Sequence, residues 1–195
     1  APALRVDRGQ GCCGALHAHN GELARGRELA EQLGQRLEGT IVTTAGGCAA
    51  HLSTVLGRAR VRELSEYLAE QGGLPRAGGE RRRIALQDSC HLRNGMGVFA
   101  EPRALIAAVG EYVELASAAE CCGAAGTYSM LRPEDSARIL DDKLDELEAA
   151  GVDLVVAVNP GCLRQLQTGL RRRRSRVRAL HLAELLAESR DKGSP

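Results

Sequence analysis

The seven cysteines of the chain fall into two similar sets, each with a Cys-Cys-Gly triplet and a single cysteine further along the chain. The first set comprises Cys12, Cys13 and Cys48; the second comprises Cys121, Cys122 and Cys162, with Cys90 upstream. An odd number of cysteines that includes two adjacent pairs is a poor disulfide framework. Thiolate sulfur is a preferred ligand of zinc and of iron–sulfur clusters. The spacing therefore predicts metal or cluster ligation.

The two sets belong to an internal repeat that extends beyond the cysteines. Cys12 aligns with Cys121 at an offset of 109 residues, and Cys48 aligns with Cys162 at an offset of 114. Between the triplet and the single cysteine, each copy has leucines at helical spacing and then a short apolar run typical of a buried strand. The predicted helices cover residues 22–37 and 133–150, and the predicted strands cover residues 40–44 and 153–158.

Helices that alternate with apolar strands predict an α/β fold with parallel strands, in which sites form at the carboxyl ends of the strands. Cys48, Cys90 and Cys162 each follow such a predicted strand end. Glycines beside the thiols allow backbone amides to approach sulfur. We also expect helix N-termini directly after Cys13 and Cys122, where they would favour the thiolate form.

The repeat predicts two Rossmann-like lobes. Residues 1–71 form the first copy, residues 83–195 form the second, and the glycine-rich residues 72–82 form a linker. The cysteine expected upstream of Cys12 would lie before Ala1, so the first copy is predicted to be incomplete at its N-terminus. We expect the chain to be the C-terminal part of a longer protein.

Composition excludes several classes of function. The net charge of +1 and the near absence of aromatic residues argue against nucleic-acid binding through a basic surface or stacked bases. Neither a membrane-spanning run nor a signal-peptide core is recognisable, and we expect a cytoplasmic protein. The basic run at residues 171–174 is interpreted as a solvated face, with a docking edge for a partner subunit or phosphate as the alternative.

The motifs that carry a family resemblance are the two triplets, the Asp-Ser-Cys-His segment that contains Cys90, and the Asn-Pro-Gly-Cys segment that ends at Cys162. Together they resemble the cysteine-rich CCG domain, a family that includes heterodisulfide reductase B subunits and the iron–sulfur subunits of glycolate and lactate oxidases. They look most like the glycolate oxidase iron–sulfur subunits, over nearly the whole chain.

This resemblance implies cluster ligands and a role in electron transfer. The second copy would supply a complete set of four thiolates for an iron–sulfur cluster, expected to be of the 4Fe–4S type: Cys90, Cys121, Cys122 and Cys162. The first copy would supply only Cys12, Cys13 and Cys48. His91 is the candidate for a hydrogen bond to the sulfur of the adjacent Cys90. No catalytic acid or base is expected in the chain.

The implied partners are flavin-containing subunits of a 2-hydroxyacid (glycolate) dehydrogenase, on which the substrate would be oxidised. Electrons would pass through this chain to a quinone or another electron carrier, either in the cytoplasm or at the inner face of the membrane. The chain departs from heterodisulfide reductase B subunits at Ala45 and Asn159, which stand where those proteins have cysteines. A five-cysteine noncubane cluster is therefore not expected.

Two other chemistries stay open for the same residues. Four thiolates equally suit a structural zinc site, in which the metal contributes folding free energy without redox activity. The adjacent cysteines could instead form disulfides, although vicinal disulfides are strained and the chain has no thioredoxin-like Cys-x-x-Cys motif.

Overall fold

The computed structural model describes residues 4–72 and 82–191. The predicted linker lies almost entirely outside the described residues. The strands are β1 Ile41–Thr43, β2 Val61–Glu63, β3 Arg83–Gln87, β4 Glu111–Val113, β5 Leu154–Ala157 and β6 Arg178–His181. The helices are α1 Ala15–His19, α2 Leu23–Arg36, α3 Gly46–Leu56, α4 Leu64–Glu70, α5 Cys90–Met96, α6 Ala100–Val109, α7 Tyr128–Leu131, α8 Pro133–Ala149, α9 Pro160–Arg173 and α10 Leu182–Asp191, with a 3-10 turn at Arg58–Arg60.

All paired strands are parallel and form two sheets, which confirms the predicted fold class. The larger sheet has the order β4-β3-β5-β6, so the strand order reverses between β3 and β5. The loops at the carboxyl ends of β3 and β5 therefore leave in opposite directions and open a crevice, where ligands bind in open α/β sheets. The smaller sheet pairs β1 with β2, and these strands correspond to β5 and β6 of the second copy.

The core of the second copy lies on both faces of its sheet. Alternate residues of a strand point to opposite faces, and all four residues of β5 are buried. Val155 packs on one face with leucines of α8 and α9, while Val156 packs on the other face with residues of α6 and α10. Ala49 of α3 belongs to this second cluster, so the first copy contributes to the core of the second.

The long helices match their sequence patterns closely. Two predicted helices, residues 22–37 and 133–150, correspond to α2 and α8, and Pro133 occupies the first turn of α8, where its missing N–H costs nothing. The segment after Cys122 differs from expectation. Residues 125–127 form a turn, because Ala125 (φ 35°) and Gly126 (φ 62°) adopt left-handed conformations that interrupt a helix. No helix N-terminus therefore follows Cys122 directly. Within the described residues, no helix is long and apolar enough to cross a membrane.

Candidate metal centre

Three separate segments of the second copy carry its four cysteines to the crevice between β3 and β5. Cys90 is the first residue of α5, directly after β3, and the Ser89 side chain caps that helix by accepting a hydrogen bond from the Leu92 N–H. Cys162 lies in the first turn of α9, after β5. Cys121 and Cys122 lie in the loop that follows β4.

The four thiols interact with one another. Hydrogen bonding with Cys121 and with Cys162 shifts the pKa of Cys122, and the charge of Cys121 raises the pKa of Cys90 and opposes the lowering of the pKa of Cys162. Cys122 and Cys162 are buried, Cys90 is half-buried and Cys121 is exposed. Each of the four cysteines assigned to the complete set therefore lies close enough to another of them to affect its pKa, and Cys121 is open to solvent.

The proximity of the thiols makes it costly to ionise all of them. The bond from Cys121 lowers the pKa of Cys122, but the bond with Cys162 and burial raise it, leaving a pKa of about 12. The bond with Cys122 also raises the pKa of Cys121, whereas burial raises the pKa of Cys90. The pKa of Cys162 is lowered, first by its bond with Cys122. A bound cation would remove this repulsion, because metals bind thiolates and displace their protons.

A buried lysine lies beside this set. Lys143 of α8 is only 3% exposed, and its ammonium group donates to the carbonyl and hydroxyl oxygens of Ser117. Its charge interacts with Cys121 and Cys122, while burial lowers its pKa. Lys143 was not among the residues predicted from the sequence. The available signal was its position on the apolar stripe of α8, three residues after Leu140 and four before Leu147, where a charged residue is unusual.

The first copy repeats the geometry of the triplet. The Sγ of Cys12 accepts from the Gly14 N–H at 3.4 Å, and the Sγ of Cys121 accepts from the Gly123 N–H at 3.3 Å. Gly14 has φ 82° and Gly123 has φ 84°. A Cβ at Gly14 would collide with the carbonyl oxygen of Gly26, and one at Gly123 would lie 2.7 Å from that of Ser136. Both the conformation and the packing therefore require glycine here.

Two thiols of the first copy form a close pair. The Sγ atoms of Cys13 and Cys48 are 2.7 Å apart, and both cysteines are free. Their hydrogen bond lowers the pKa of Cys13 to about 6 and raises the pKa of Cys48, so Cys13 is the more acidic partner. Cys12 is exposed. Cys13 and Cys48, two members of the predicted incomplete set, therefore lie side by side.

The two cysteine sets face each other across the boundary between the copies. The Asn159 Oδ1 accepts from the N–H of Gly47, which precedes Cys48, and the Asn159 Nδ2 donates to the Cys162 Sγ. Nearby, the rings of His19 and His91 stack with their centroids 4.6 Å apart. The sequence does not predict this pair of histidines, because only the tertiary fold brings His19 next to His91.

The remaining polar residues near the cysteines, and the basic run of α9, have structural partners. His91 Nδ1 lies 3.6 Å from the Cys90 Sγ, consistent with its expected position, and burial lowers the pKa of His91. His51 is hydrogen-bonded to the Gly26 carbonyl oxygen at 3.0 Å. In the basic run at the end of α9, Arg172 and Arg173 form ion pairs with acidic residues of α8. Among the residues that the structure describes, no three His, Cys, Asp or Glu side chains are arranged to hold a single metal ion.

Residues 3–53 and 84–167 match the family model of the cysteine-rich domain called CCG. The chain belongs to the CCG cysteine-rich domain family. The matched ranges contain both triplets and the single cysteines Cys48, Cys90 and Cys162. They correspond to the two copies of the internal repeat, so the family match and the repeat describe the same elements.

Several curated proteins are similar to this CCG chain. The probable glycolate oxidase iron-sulfur subunit of Bacillus subtilis is 38% identical, over 92% of this chain and 46% of its own length. The B subunit of fumarate reductase (CoM/CoB) from Methanothermobacter marburgensis is 30% identical, over 93% and 39% respectively. Lactate utilization protein A 2 of Bacillus cereus is 27% identical, over 97% and 87%. The chain therefore spans less than half the length of the first two relatives.

Proposed function

We propose that this chain holds an iron–sulfur cluster and transfers electrons within an oxidoreductase. Cys90, Cys121, Cys122 and Cys162 are the proposed ligands, and the cluster is of the 4Fe–4S type. The observation that carries the proposal is that these four cysteines follow the carboxyl ends of three parallel strands and that their thiols affect one another's pKa. Four cysteine thiolates are the usual ligand set of such clusters.

The environment of each thiol fits that role. A bound cluster would supply one-electron transfer, and the protein would set its potential through burial and hydrogen bonding. Cys122 and Cys162 keep water from one side of the set, while the exposed Cys121 leaves the other side accessible. Lys143 adds positive charge next to Cys121 and Cys122, which compensates part of the negative charge of the thiolates.

The proposed assembly is a flavin-dependent 2-hydroxyacid dehydrogenase, such as a glycolate oxidase. A partner subunit with a flavin would oxidise the substrate, and this chain would pass the electrons to a quinone or another carrier, in the cytoplasm or at the inner face of the membrane. The names of the relatives from Bacillus subtilis and Bacillus cereus support this class of substrate. The name of the methanogen relative supports an electron-transfer role more generally.

The first copy is proposed to hold a second centre once its ligand set is complete. Within the described residues it offers Cys12, Cys13 and Cys48, and Cys13 and Cys48 already lie side by side. Three thiolates leave a cluster or metal one ligand short. We therefore assign tight cluster binding to the second copy, which has four cysteines.

The first experiment is a metal analysis of anaerobically purified protein. About four irons and matching acid-labile sulfide per chain, with a broad absorption band in the visible range, are expected for one cluster. Cys122→Ser should lose this iron, because Cys122 is a buried thiol of the proposed ligand set. Cys13→Ser is the matched control in the first copy and should retain it.

The same experiment tests the alternative of a structural zinc site, which is favoured by the same four-thiolate donor set. A colourless protein with about one zinc per chain that is lost in Cys122→Ser would replace the redox proposal. Iron lost in Cys13→Ser but retained in Cys122→Ser would overturn the assignment to the second copy.

A further inference from the structure

Asn159 connects the two cysteine sets through opposite ends of one side-chain amide. Its Oδ1 lies 3.2 Å from the Gly47 nitrogen, and its Nδ2 lies 3.8 Å from the Cys162 Sγ. The Gly47 N–H can only donate, so it requires the oxygen of the amide on its side. The nitrogen must then face Cys162, which fixes the orientation of the amide group.

The internal repeat supplies a natural comparison for this residue. Position 159 corresponds to position 45, because Cys162 and Cys48 are aligned, and residue 45 is alanine. Ala45 has no side-chain donor that could reach the Cys48 sulfur. Asn159 therefore gives Cys162 a side-chain donor that the aligned Cys48 lacks at position 45, and this donor belongs to the copy with four thiols.

We propose that Asn159 is a positioning and tuning residue of the centre in the second copy. A hydrogen bond to a ligating thiolate favours the more negative, reduced state of a cluster and so raises its reduction potential. Asn159 thereby makes the centre of the second copy easier to reduce, and it anchors Cys162 to the N-terminus of α3 in the first copy. This inference rests on the proposed function for its redox part.

The redox part is tested with Asn159→Ala and Asn159→Asp. The alanine variant reproduces position 45 of the first copy and loses the bond, so its midpoint potential should be more negative than that of the wild type. The aspartate variant keeps the acceptor for Gly47 but loses the donor and adds a negative charge, so its potential should fall further. The measurement is a potentiometric titration followed by electron paramagnetic resonance.

The matched control is Asn94→Ala. Asn94 is an exposed residue of α5 that lies four residues after Cys90, and no hydrogen bond joins it to a sulfur in the described part of the chain. The midpoint potential of the Asn94→Ala variant should equal that of the wild type. A purely structural role for Asn159 predicts lower thermal stability with an unchanged potential. Equal potentials in the wild type and both Asn159 variants would overturn the tuning role.

The anchoring part is tested without any cluster. In metal-free protein, hydrogen exchange of the Gly47 amide should be roughly five- to tenfold faster in Asn159→Ala, because a net hydrogen bond is worth about 1 kcal/mol. Asn159→Asp should keep its protection, since the carboxylate still accepts the bond. Unchanged exchange in Asn159→Ala would refute the anchor, whether or not the protein holds iron.

A cobalt experiment distinguishes failure of the proposed iron–sulfur function from failure of the proposed role of Asn159. If the wild-type chain holds zinc and no iron, Co²⁺ is substituted into the site, and the sulfur-to-cobalt charge-transfer band is recorded. Removing a hydrogen bond to a thiolate raises the energy of its lone pairs, so the band of Asn159→Ala should move to longer wavelength. A band at the wild-type position would show that Asn159 does not act on the metal-bound sulfur.

Discussion

His181 replaces a backbone hydrogen bond that the second copy cannot make. The Gly46 N–H donates to the Val158 carbonyl oxygen at 3.0 Å, across the boundary between the copies. The repeat would place the reciprocal bond between residue 160 and the carbonyl oxygen of Thr44, but Pro160 has no N–H. His181 Nε2 lies 2.8 Å from that oxygen instead. Its Nδ1 accepts from the Ala183 N–H at 3.1 Å, so the proton is on Nε2.

The substitution His181→Ala should destabilise the protein by about 1–3 kcal/mol at neutral pH, because it leaves the Thr44 carbonyl oxygen without its donor. Burial lowers the pKa of His181 below its ordinary value of 6.5. A lowered pKa means that the stabilisation is complete above pH 6.5 and is lost as the pH falls through the folded pKa. The difference in unfolding free energy between wild type and variant should therefore shrink below pH 6.5, as measured by urea titration.

His17→Ala is the control for this prediction, since His17 is an exposed residue whose ring pairs with Glu22. His17→Ala should have little effect on the unfolding free energy at pH 5 or at pH 7.5. A His181→Ala penalty that is the same at pH 5 and at pH 7.5 would show that the neutral form of the ring is not what the fold requires.

At the scale of elements, α4 begins with an unusual capping box. The N-cap residue is Glu63, whose Oε2 accepts from the Ser65 N–H at 2.7 Å, while Glu66 accepts from the Glu63 N–H at 3.4 Å. Glu63 is fully buried, and its Oε1 has no hydrogen-bond partner within the described residues. Burial raises the pKa of Glu63 to about 7. The fold thus tolerates the neutral acid better than the carboxylate.

We expect Glu63→Gln to remove a pH dependence from the stability of the protein. Because the folded pKa of Glu63 is raised, its stabilisation is complete below the unfolded value of about 4.5 and is lost as the pH rises through about 7. The loss is up to about 3 kcal/mol. Glutamine has the same shape and does not titrate, so the stability of the variant relative to wild type should rise over this interval in urea titrations.

Glu70→Gln provides the matched control on the same helix, because Glu70 is largely exposed and pairs with Arg62. Its stability should follow the wild-type pH profile within about 1 kcal/mol. If Glu63→Gln also follows that profile, Glu63 is already ionised in the folded protein at acidic pH, and the burial argument fails.

For the whole molecule, the features that could be predicted from the sequence are those that depend on local periodicity or on the geometry of strand ends. The leucine spacing located α2 and α8 to within about one residue at each end, and the strand-end rule placed Cys90 and Cys162 at one edge of the sheet. The strand order and the contacts between copies could not be predicted, because they depend on pairings distant in the chain. The stack of His19 on His91 becomes visible only when those pairings are known, whereas Lys143 could have been found from its position on the apolar stripe of α8.

Two adjacent glycines test how the copies are joined. Gly46 and Gly47 both lie in the first turn of α3, which packs against α5 of the second copy. A Cβ at Gly46 would collide with the Ser89 Oγ and lie 2.8 Å from the Leu92 Cγ, whereas one at Gly47 would meet Asn159 Oδ1 at an ordinary 3.6 Å. Gly46→Ala therefore forces the copies apart at the helix that carries Cys90.

Gly46→Ala should cost about 1–3 kcal/mol of unfolding free energy, the usual effect of overpacking a close contact. Gly47 lies in the same turn of α3, but a methyl group there meets no close contact. Gly47→Ala should therefore change the unfolding free energy by less than about 1 kcal/mol, and it should stabilise the protein because alanine has the higher helix propensity. Chemical denaturation of the two variants measures the difference directly. Equal stabilities would mean that α3 and α5 can separate at no cost and that the two copies fold independently. A penalty confined to Gly46→Ala would instead show that the close packing of α3 against α5 stabilises the protein and joins the two copies.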